Sequence, residues 1–268
     1  HTPMGGNAMR LGALFGGPIL LAALRPRRRV ALFALLLVGL GYWQWTSAAQ
    51  DFVKSQEDPS VRVRYYKPLV SFLDRVGGPP GRVEVVFTRG HWEATEVGNH
   101  FPLARGWQRQ LDLGRNGIFY GGGLNRVTYG VWLAEHAVRF VAVGAGKPDY
   151  SSYTERGLIE SGLPYLRMVW RSKEWRVYAV TLPHAMAVPD PGAEMSVTKM
   201  GNSNLTLDVR KPGSAVVRVS WTPYWRFSGG CVQRAGDWTR ITAERPGTMK
   251  LAIDFSPARI FEHGERCG

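Results

Sequence analysis

Two apolar stretches begin the pattern of hydrophobic and polar positions along the chain. The first runs from Met9 to Leu24, and the second runs from Val30 to Trp45. Continued to Ala49, the second stretch has about the twenty residues that a helix needs to cross roughly 30 Å of hydrocarbon. Its end carries Tyr42 and Trp43, aromatic rings of the kind that favour a membrane interface. The pattern predicts an N-terminal transmembrane hairpin over residues 1–49.

A compact basic run, Arg25 to Arg29, separates the two apolar stretches. Positive loops stay in the cytoplasm, so this run predicts that everything after Ala49 lies outside the cytoplasm. A second interpretation stays open, in which the basic run and the second stretch form a signal peptide cleaved after Ser47-Ala48-Ala49.

The segment from 50 to 182 alternates between helical and strand patterns. Apolar spacing predicts the helices, and β-branched, alternating or continuous apolar runs predict the strands. The order of these elements indicates an extracytoplasmic α/β domain. The predicted helices are Tyr65–Val76, Val127–Ala137 and Ser151–Ser161, and the predicted strands are Arg82–Thr88, Val138–Val143, Tyr165–Trp170 and Trp175–Val180.

The remainder of the chain predicts a β-sandwich domain over residues 192–268. A proline-rich stretch, Pro183 to Pro191, reads as a linker before it, and short strands then recur at regular spacing. The expected fold class is therefore a membrane-anchored α+β protein with a transmembrane hairpin, an α/β domain and a C-terminal β-sandwich. The predicted sandwich strands are Met195–Lys199, Leu205–Arg210, Ala215–Trp221, Trp238–Thr242 and Met249–Phe255.

Charge and cysteine content refine this picture. The net charge is +13, but the cations are mostly arginines spread along the chain, so membrane lipid is the expected partner and nucleic acid is not. The two cysteines, Cys231 and Cys267, form a disulfide in an oxidising compartment or stay as two buried thiols, and their spacing does not decide between these states.

The densest group of polar and aromatic side chains lies between Arg89 and Asn116. His91, Glu93 and Glu96 are candidate acid/base groups. The arginines and the aspartate suit a polar or anionic ligand, and the tryptophans suit stacking on a sugar. The alternative is a polar network that fixes the conformation of a loop. The candidate ligand-binding residues are His91, Trp92, Glu93, Arg105, Trp107, Arg109 and Asp112.

Other motifs give no chemistry. His91 and Glu93 with His100 lack the spacing of known zinc motifs, so we expect no metal and no cofactor. The run Gly144 to Lys147 follows a strand but has Pro148 where a phosphate loop needs Ser or Thr, and it reads as a turn.

Several segments together resemble a known group of proteins. The segments GRVEVVFTRGHWEATEV, LARGWQRQLDLGRN, WLAEHAVRFVAV, GLPYLRMVWRSKEWRVYAV and TPYWRFSGGC are similar to the extracytoplasmic end of actinobacterial multi-spanning membrane proteins. Those proteins are commonly labelled as membrane proteins related to 6-pyruvoyl-tetrahydropterin synthase. Their layout is similar to that of membrane glycosyltransferases of the GT-C type. The resemblance implies a C-terminal piece of a longer protein. In GT-C enzymes the catalytic acid lies in an early loop, so no catalytic residue carries over.

These observations lead to two hypotheses about function. The first is a ligand-contacting region of a glycosyltransferase-like membrane protein that handles lipid-linked sugars or envelope glycans. The second is a non-catalytic interaction or scaffold module of the cell envelope. A stand-alone exported enzyme would need a complete catalytic set, which the chain does not display.

Overall fold

The computed structural model describes residues 30–183, 185–255 and 267, together with residues 12, 15–17, 19, 22 and 23. The chain divides into two compact units, residues 1–61 and residues 62–268. Within the first unit, helix α1 (Val30–Glu57) is followed by a 3₁₀ turn at Pro59–Val61. The first predicted span, Met9 to Leu24, lies largely outside the described residues, as does the basic run Arg25 to Arg29.

The predicted transmembrane hairpin is wrong. Among the described residues, no helix is both long enough and apolar enough to cross a membrane. The continuously apolar part of α1 ends near Leu40. Tyr42, Gln44 and Thr46 interrupt it after that point, and a mostly polar stretch follows as far as Glu57. Eleven residues at 1.5 Å each give about 16 Å, roughly half of the hydrocarbon thickness. Counting the run as far as Ala49 therefore overstated its apolar length.

The N-terminal part of the second unit contains a four-stranded mixed sheet in the order β1-β2-β4-β3. Strands β1 and β2 are parallel, whereas β4 is antiparallel to both β2 and β3. The predicted helices and strands of this domain are confirmed within a few residues. The strands are β1 (Arg82–Val85), β2 (Val138–Gly144), β3 (Leu166–Arg171) and β4 (Trp175–Val180). The helices are α2 (Val63–Val76), α3 (Glu93–Glu96), α4 (Arg109–Arg115), α5 (Arg126–Glu135) and α6 (Tyr153–Glu160), with 3₁₀ turns at Gly117–Phe119 and Tyr150–Ser152.

Helix α2 packs on the sheet through its periodic apolar face. Tyr66 and Leu69 are almost completely buried in the core that they share with β1, β2 and β4. The indole of Trp175 is also buried, and its Nε1 donates a 2.7 Å hydrogen bond to the carbonyl of Tyr65. The aromatic side chains of the helix and the strand therefore fix α2 against the end of the sheet at which the candidate site lies.

Two four-stranded antiparallel sheets form the C-terminal part, in the orders β10-β11-β8-β5 and β6-β7-β12-β9. They share one apolar core, which confirms the predicted β-sandwich. Its strands are β5 (Ala187–Pro189), β6 (Glu194–Met200), β7 (Asn204–Lys211), β8 (Gly213–Ser220), β9 (Trp225–Phe227), β10 (Gly230–Ala235), β11 (Trp238–Ala243) and β12 (Gly247–Ile253). Cys231 on β10 is joined to Cys267 in a disulfide, with 5.1 Å between their Cα atoms.

Part of the predicted linker is a strand of this sandwich. Strand β5 falls inside Pro183 to Pro191 and pairs with β8. Proline is tolerated there because β5 is the outer strand of its sheet, where one row of N–H groups has no ladder partner to lose. Strands β9 and β10 were not predicted. A short turn that contains glycine separates them, and the sequence pattern did not reveal it. Trp225 and Phe227 on β9 are buried in the core.

Two arginines connect the sandwich to the α/β domain at the end of helix α5. Arg82 donates to the carbonyls of His136, at 2.7 Å, and of Arg218, while Arg218 donates to the carbonyl of Ala134. The last carbonyls of a helix lack intrahelical partners and carry partial negative charge, so cations suit them. Burial, with the charge of Arg218 close by, lowers the pKa of Arg82 to about 10, and Arg82 remains a cation at neutral pH.

We predict that Arg82→Met destabilises the second unit by about 2–4 kcal/mol, because two carbonyls lose their donor and Trp238 loses a cation 6.0 Å above its ring. Urea unfolding measures the loss, and proteolysis between residues 181 and 186 should become faster. Arg234→Met on the exposed face of β10 is the matched control, with a change within about 0.5 kcal/mol. Equal stabilities of the two variants would contradict the role given to Arg82.

Candidate functional site

The candidate residues collect at the carboxyl edge of the parallel pair β1 and β2. Beyond β1 the chain continues beside β2, where the amide of Val86 donates to the carbonyl of Ala142 at 3.0 Å. The amide of Asp149, in the segment after β2, then donates to the carbonyl of Phe87 at 2.8 Å. This is the edge at which α/β sheets commonly bind ligands, because loops diverge there.

Arg105 reaches this edge because the preceding segment runs along the outer side of β1. The amide of Val83 donates to the carbonyl of Pro102, and the amide of Ala104 donates to the carbonyl of Val83, each at 2.9 Å. This short parallel pairing delivers Arg105 next to Glu84, its neighbour on the sheet, although 21 residues separate the two in sequence.

The guanidinium of Arg105 is fully buried among carboxyl groups. Its Nε donates to Glu84 at 2.9 Å, and its Nη2 donates to Glu155 at 2.6 Å. Its Nη1 lies 3.7 Å from a carboxylate oxygen of Asp112. Burial opposes the charge of Arg105, but Glu155 and Glu84 outweigh that effect and raise its pKa. Arg105 is therefore a permanent cation at the centre of this inner cluster, which we define as Glu84, Arg105, Asp112 and Glu155.

Aromatic rings close the space above and below that cation. The guanidinium carbon of Arg105 lies 3.6 Å from the ring centroid of Phe119 and 4.2 Å from that of Phe87. Cation–π contacts of this kind strengthen when water is excluded, as it is here. The rings and the carboxylates together leave a ligand no access to Arg105.

Hydrogen bonds from surrounding side chains complete the inner cluster. Asp112 accepts from the amide nitrogen of Asn116 at 2.7 Å and from the hydroxyl of Tyr120, and Glu155 accepts from the hydroxyl of Tyr129 at 2.9 Å. Burial, together with the bond to Asp112, raises the pKa of Tyr120, so its hydroxyl remains a donor. Buried carboxylates are stable only when donors of this kind surround them.

The inner cluster holds one cation against three carboxyl groups. Burial raises the pKa of Glu84 well above its usual range, although Arg105 works against this. One carboxylate oxygen of Glu84 also has no hydrogen-bond partner among the described residues. Glu84 therefore keeps its proton to a higher pH than an exposed glutamate does, which reduces the excess of negative charge.

A second cluster, which we call the outer cluster, consists of His91, Glu93, Arg109 and Asp149. Nη2 of Arg109 donates to Asp149 at 2.9 Å, and Nε2 of His91 lies 3.6 Å from the other oxygen of Asp149. Although burial works in the opposite direction, hydrogen bonds from Ser151 and Arg109 lower the pKa of Asp149. Asp149 is therefore a fixed negative charge that lies between His91 and Arg109.

Glu93 lies beneath His91 and is not exposed. Its side chain is 1% accessible and accepts hydrogen bonds from the amide and the hydroxyl of Thr88. Nδ1 of His91 is 3.4 Å from the other carboxylate oxygen, without hydrogen-bond geometry. His91 itself has φ +57°, a left-handed conformation that costs a non-glycine residue energy and persists only when its surroundings hold it.

Three exposed aromatic residues lie close in sequence to members of the outer cluster. Trp92, next to His91, is 45% exposed, and Trp107, two residues before Arg109, is 57% exposed. Tyr150, next to Asp149, is 72% exposed and lies with its ring centroid 4.4 Å from the guanidinium carbon of Arg109. Large exposed rings beside hydrogen-bonding charges are typical of surfaces that bind polar ligands with apolar faces.

The structure therefore divides the seven predicted site residues into two groups. Arg105, Asp112 and Glu93 are buried and fix the loops, which is the alternative that the sequence left open for this stretch. His91, Trp92, Trp107 and Arg109 retain exposed surface. Within the described residues, no three histidine, cysteine or carboxylate side chains are grouped as a metal site requires.

Sequence reasoning missed the partners that complete both clusters. Glu84 offered a signal, since an acidic residue within the apolar strand pattern RVEVV predicts a buried charge in need of a cation. Glu155 and Asp149 offered none, because their partners lie 50 and 40 residues away in the chain.

Comparison with protein-family models, with curated proteins and with solved structures finds no match to this chain. The chemistry of the site must therefore be inferred from its own residues.

We predict that Arg105→Met destabilises the fold by about 3–5 kcal/mol, because it leaves three buried carboxyl groups without their cation. Chemical denaturation measures the change. Arg89→Met, which removes an exposed arginine from the same stretch, should change stability by less than about 0.5 kcal/mol. A loss below about 1 kcal/mol for Arg105→Met would show that the inner cluster does not hold the loops.

Glu84→Gln tests the proton assigned to the inner cluster. The folded state binds this proton more tightly than the unfolded state, so wild-type stability falls as the pH rises from about 4.5 through the raised folded-state pKa. The variant cannot ionise, so we expect its stability relative to the wild type to increase between about pH 5 and pH 8. A difference of one pH unit between the folded-state and unfolded-state pKa of Glu84 corresponds to about 1.4 kcal/mol in the free energy of unfolding.

Urea denaturation at several pH values provides this comparison. Glu155→Gln serves as the contrast, since it weakens the acceptor of both Arg105 and Tyr129 and should lose about 1–3 kcal/mol at neutral pH. A Glu84→Gln variant whose stability runs parallel to the wild type at every pH would rule out a retained proton on Glu84.

Proposed function

We propose that the α/β domain binds a carbohydrate at the outer cluster, as the ligand-contacting region of a protein that handles envelope glycans or lipid-linked sugars. The observation that carries this proposal is the pair of exposed tryptophans, Trp92 and Trp107, which are close in sequence to His91 and Arg109 of the outer cluster. In that cluster Asp149 accepts a hydrogen bond from Arg109 and lies 3.6 Å from Nε2 of His91.

A sugar presents two kinds of surface, and the outer cluster offers a partner for each. The C–H face of a pyranose ring packs on an aromatic ring, which Trp92, Trp107 and Tyr150 provide. Hydroxyl and carboxylate groups need charged or polar hydrogen-bonding partners, which Arg109 and His91 provide. Nη1 of Arg109 and Nδ1 of His91 make no hydrogen bond within the described residues but are buried, so a ligand would meet the exposed remainder of each side chain.

The same geometry favours binding over catalysis. A general acid or base must reach its substrate within hydrogen-bond distance, and Glu93, the nearest glutamate, is buried and already accepts from Thr88. Asp149 is held by Arg109 and by the amide and hydroxyl of Ser151. Both carboxylates are therefore occupied in positioning their neighbours.

A non-catalytic interaction module of the envelope is the second candidate. The burial of Arg105 and Asp112 favours it, because a network of that kind gives a rigid surface without any need for a small ligand. The two candidates differ in whether the exposed tryptophans contact sugar.

We predict that the full chain binds to a glycan array and that Trp92→Ala and Trp107→Ala each weaken the binding roughly tenfold, the loss expected for one stacking ring. Isothermal titration calorimetry with the best array ligand measures this ratio. Trp43→Ala, which removes a tryptophan of comparable exposure (56%) from α1, is the matched control and should bind as the wild type does.

Thermal unfolding of the variants accompanies the binding measurements. Both site tryptophans are exposed, so their removal should leave the melting temperature almost unchanged. Absence of glycan binding by the wild type, or binding that survives both substitutions, would refute the carbohydrate proposal and favour the interaction module.

A further inference from the structure

A cavity of about 310 Å³ lies between helix α6 and the hairpin of β3 and β4. Four cationic residues line it, and the lining contains a single carboxylate, Glu174. None of these residues belongs to the inner or the outer cluster. The four cations are Arg156, Arg171, Lys173 and Arg176.

Two of these arginines are held in place by one acidic residue of α6. Nε of Arg156 donates to Glu160 at 3.0 Å, and Arg176 donates to the same carboxylate oxygen. Nη1 of Arg156 also donates to the carbonyl of Gly146 at 2.7 Å. Hydrogen bonds from Arg176 and Arg156 lower the pKa of Glu160, which stays ionised and keeps both guanidinium groups at the cavity. Each guanidinium still has N–H groups that these bonds do not use.

The other two cations have no such partner. The side chains of Arg171 and Lys173 are exposed and make no hydrogen bond or ion pair within the described residues. They lie on a fixed turn, because the hydroxyl of Ser172 accepts from the amides of Glu174, at 3.1 Å, and Trp175, at 3.0 Å. Even after Glu160 and Glu174 are counted, the cavity carries an excess of two positive charges.

We propose that this cavity binds a phosphate-bearing anion through its arginine and lysine side chains. Guanidinium forks match phosphate oxygens in pairs, and a charge excess of this size suits a phosphate or diphosphate group. The volume lies at the lower end of the range for small-ligand sites, which fits one such group rather than a large cofactor.

Side chains, and not a backbone loop, supply the proposed recognition. The turn Gly144 to Lys147 follows β2 at the cavity, but the amide of Ala145 already donates to the carbonyl of Glu174 at 2.7 Å. The amide of Gly146 donates to the hydroxyl of Tyr65 at 3.1 Å. These amides are therefore used within the protein, in agreement with the sequence expectation that this run is a turn.

Titration calorimetry of the full chain with inorganic phosphate and with pyrophosphate tests the proposal. We expect binding that weakens with added salt, and a loss of roughly tenfold or more in the double variant Arg171→Gln/Lys173→Gln. The matched control Arg167→Gln/Lys199→Gln removes the same charge from exposed positions outside the cavity lining and should change affinity by less than about twofold.

A vesicle experiment distinguishes a soluble phosphate from a lipid headgroup as the source. Sedimentation with vesicles of phosphatidic acid in phosphatidylcholine, compared with pure phosphatidylcholine, measures headgroup binding. Binding that is lost in the Arg171→Gln/Lys173→Gln variant but kept in the control variant supports the site. Binding of pyrophosphate indicates a soluble phosphate compound, and binding of the phosphatidic acid vesicles indicates a lipid headgroup. The proposal is overturned if neither probe binds, or if the control variant loses as much affinity as the cavity variant.

Discussion

The buried positive charge of Arg105 is the interaction on which the organisation of the α/β domain depends. It draws together a strand, two helices and a long connecting stretch, through Glu84, Glu155 and Asp112. A buried ion pair adds little net stability compared with apolar packing, but its partners cannot separate without leaving a charge unpaired in the interior. The cluster therefore specifies one arrangement of the loops, which an apolar core alone would fix less strictly.

That fixed arrangement positions the outer cluster above it. Arg109 and Asp112 lie on the same short helix, and a helix of seven residues has little stability of its own. Anchored at Asp112, it presents Arg109 to Asp149. The inner cluster acts as support, whereas His91 and Arg109 of the outer cluster retain exposed surface. This division explains why closely spaced residues of one stretch differ so much in exposure.

Basic side chains have three distinct roles in this protein, which the net charge alone conceals. Arg105 is a buried structural cation, and Arg82 with Arg218 joins the sandwich to the end of helix α5. Burial, opposed by a hydrogen bond to the carbonyl of Trp132, lowers the pKa of nearby His136 to about 4, so that no third charge enters that junction at neutral pH. The remaining group is the set of arginine and lysine side chains that surround the cavity beside the β3–β4 hairpin.

The amino-acid sequence by itself determined the local elements of the second unit. Alternating and 3.6-residue apolar patterns, with glycine and proline at the turns, located its main helices and strands, because those patterns reflect burial on one face and act over a few residues. It was less reliable where two structures share one local pattern: the apolar start of α1 was taken for a membrane span, and the edge strand β5 for a linker. Only the tertiary structure decided which charges meet. Glu155 contacts Arg105 across 50 residues of sequence, and Asp149 contacts Arg109 across 40. The order of strands in the sheet brings these pairs together, and the local sequence pattern does not specify that order.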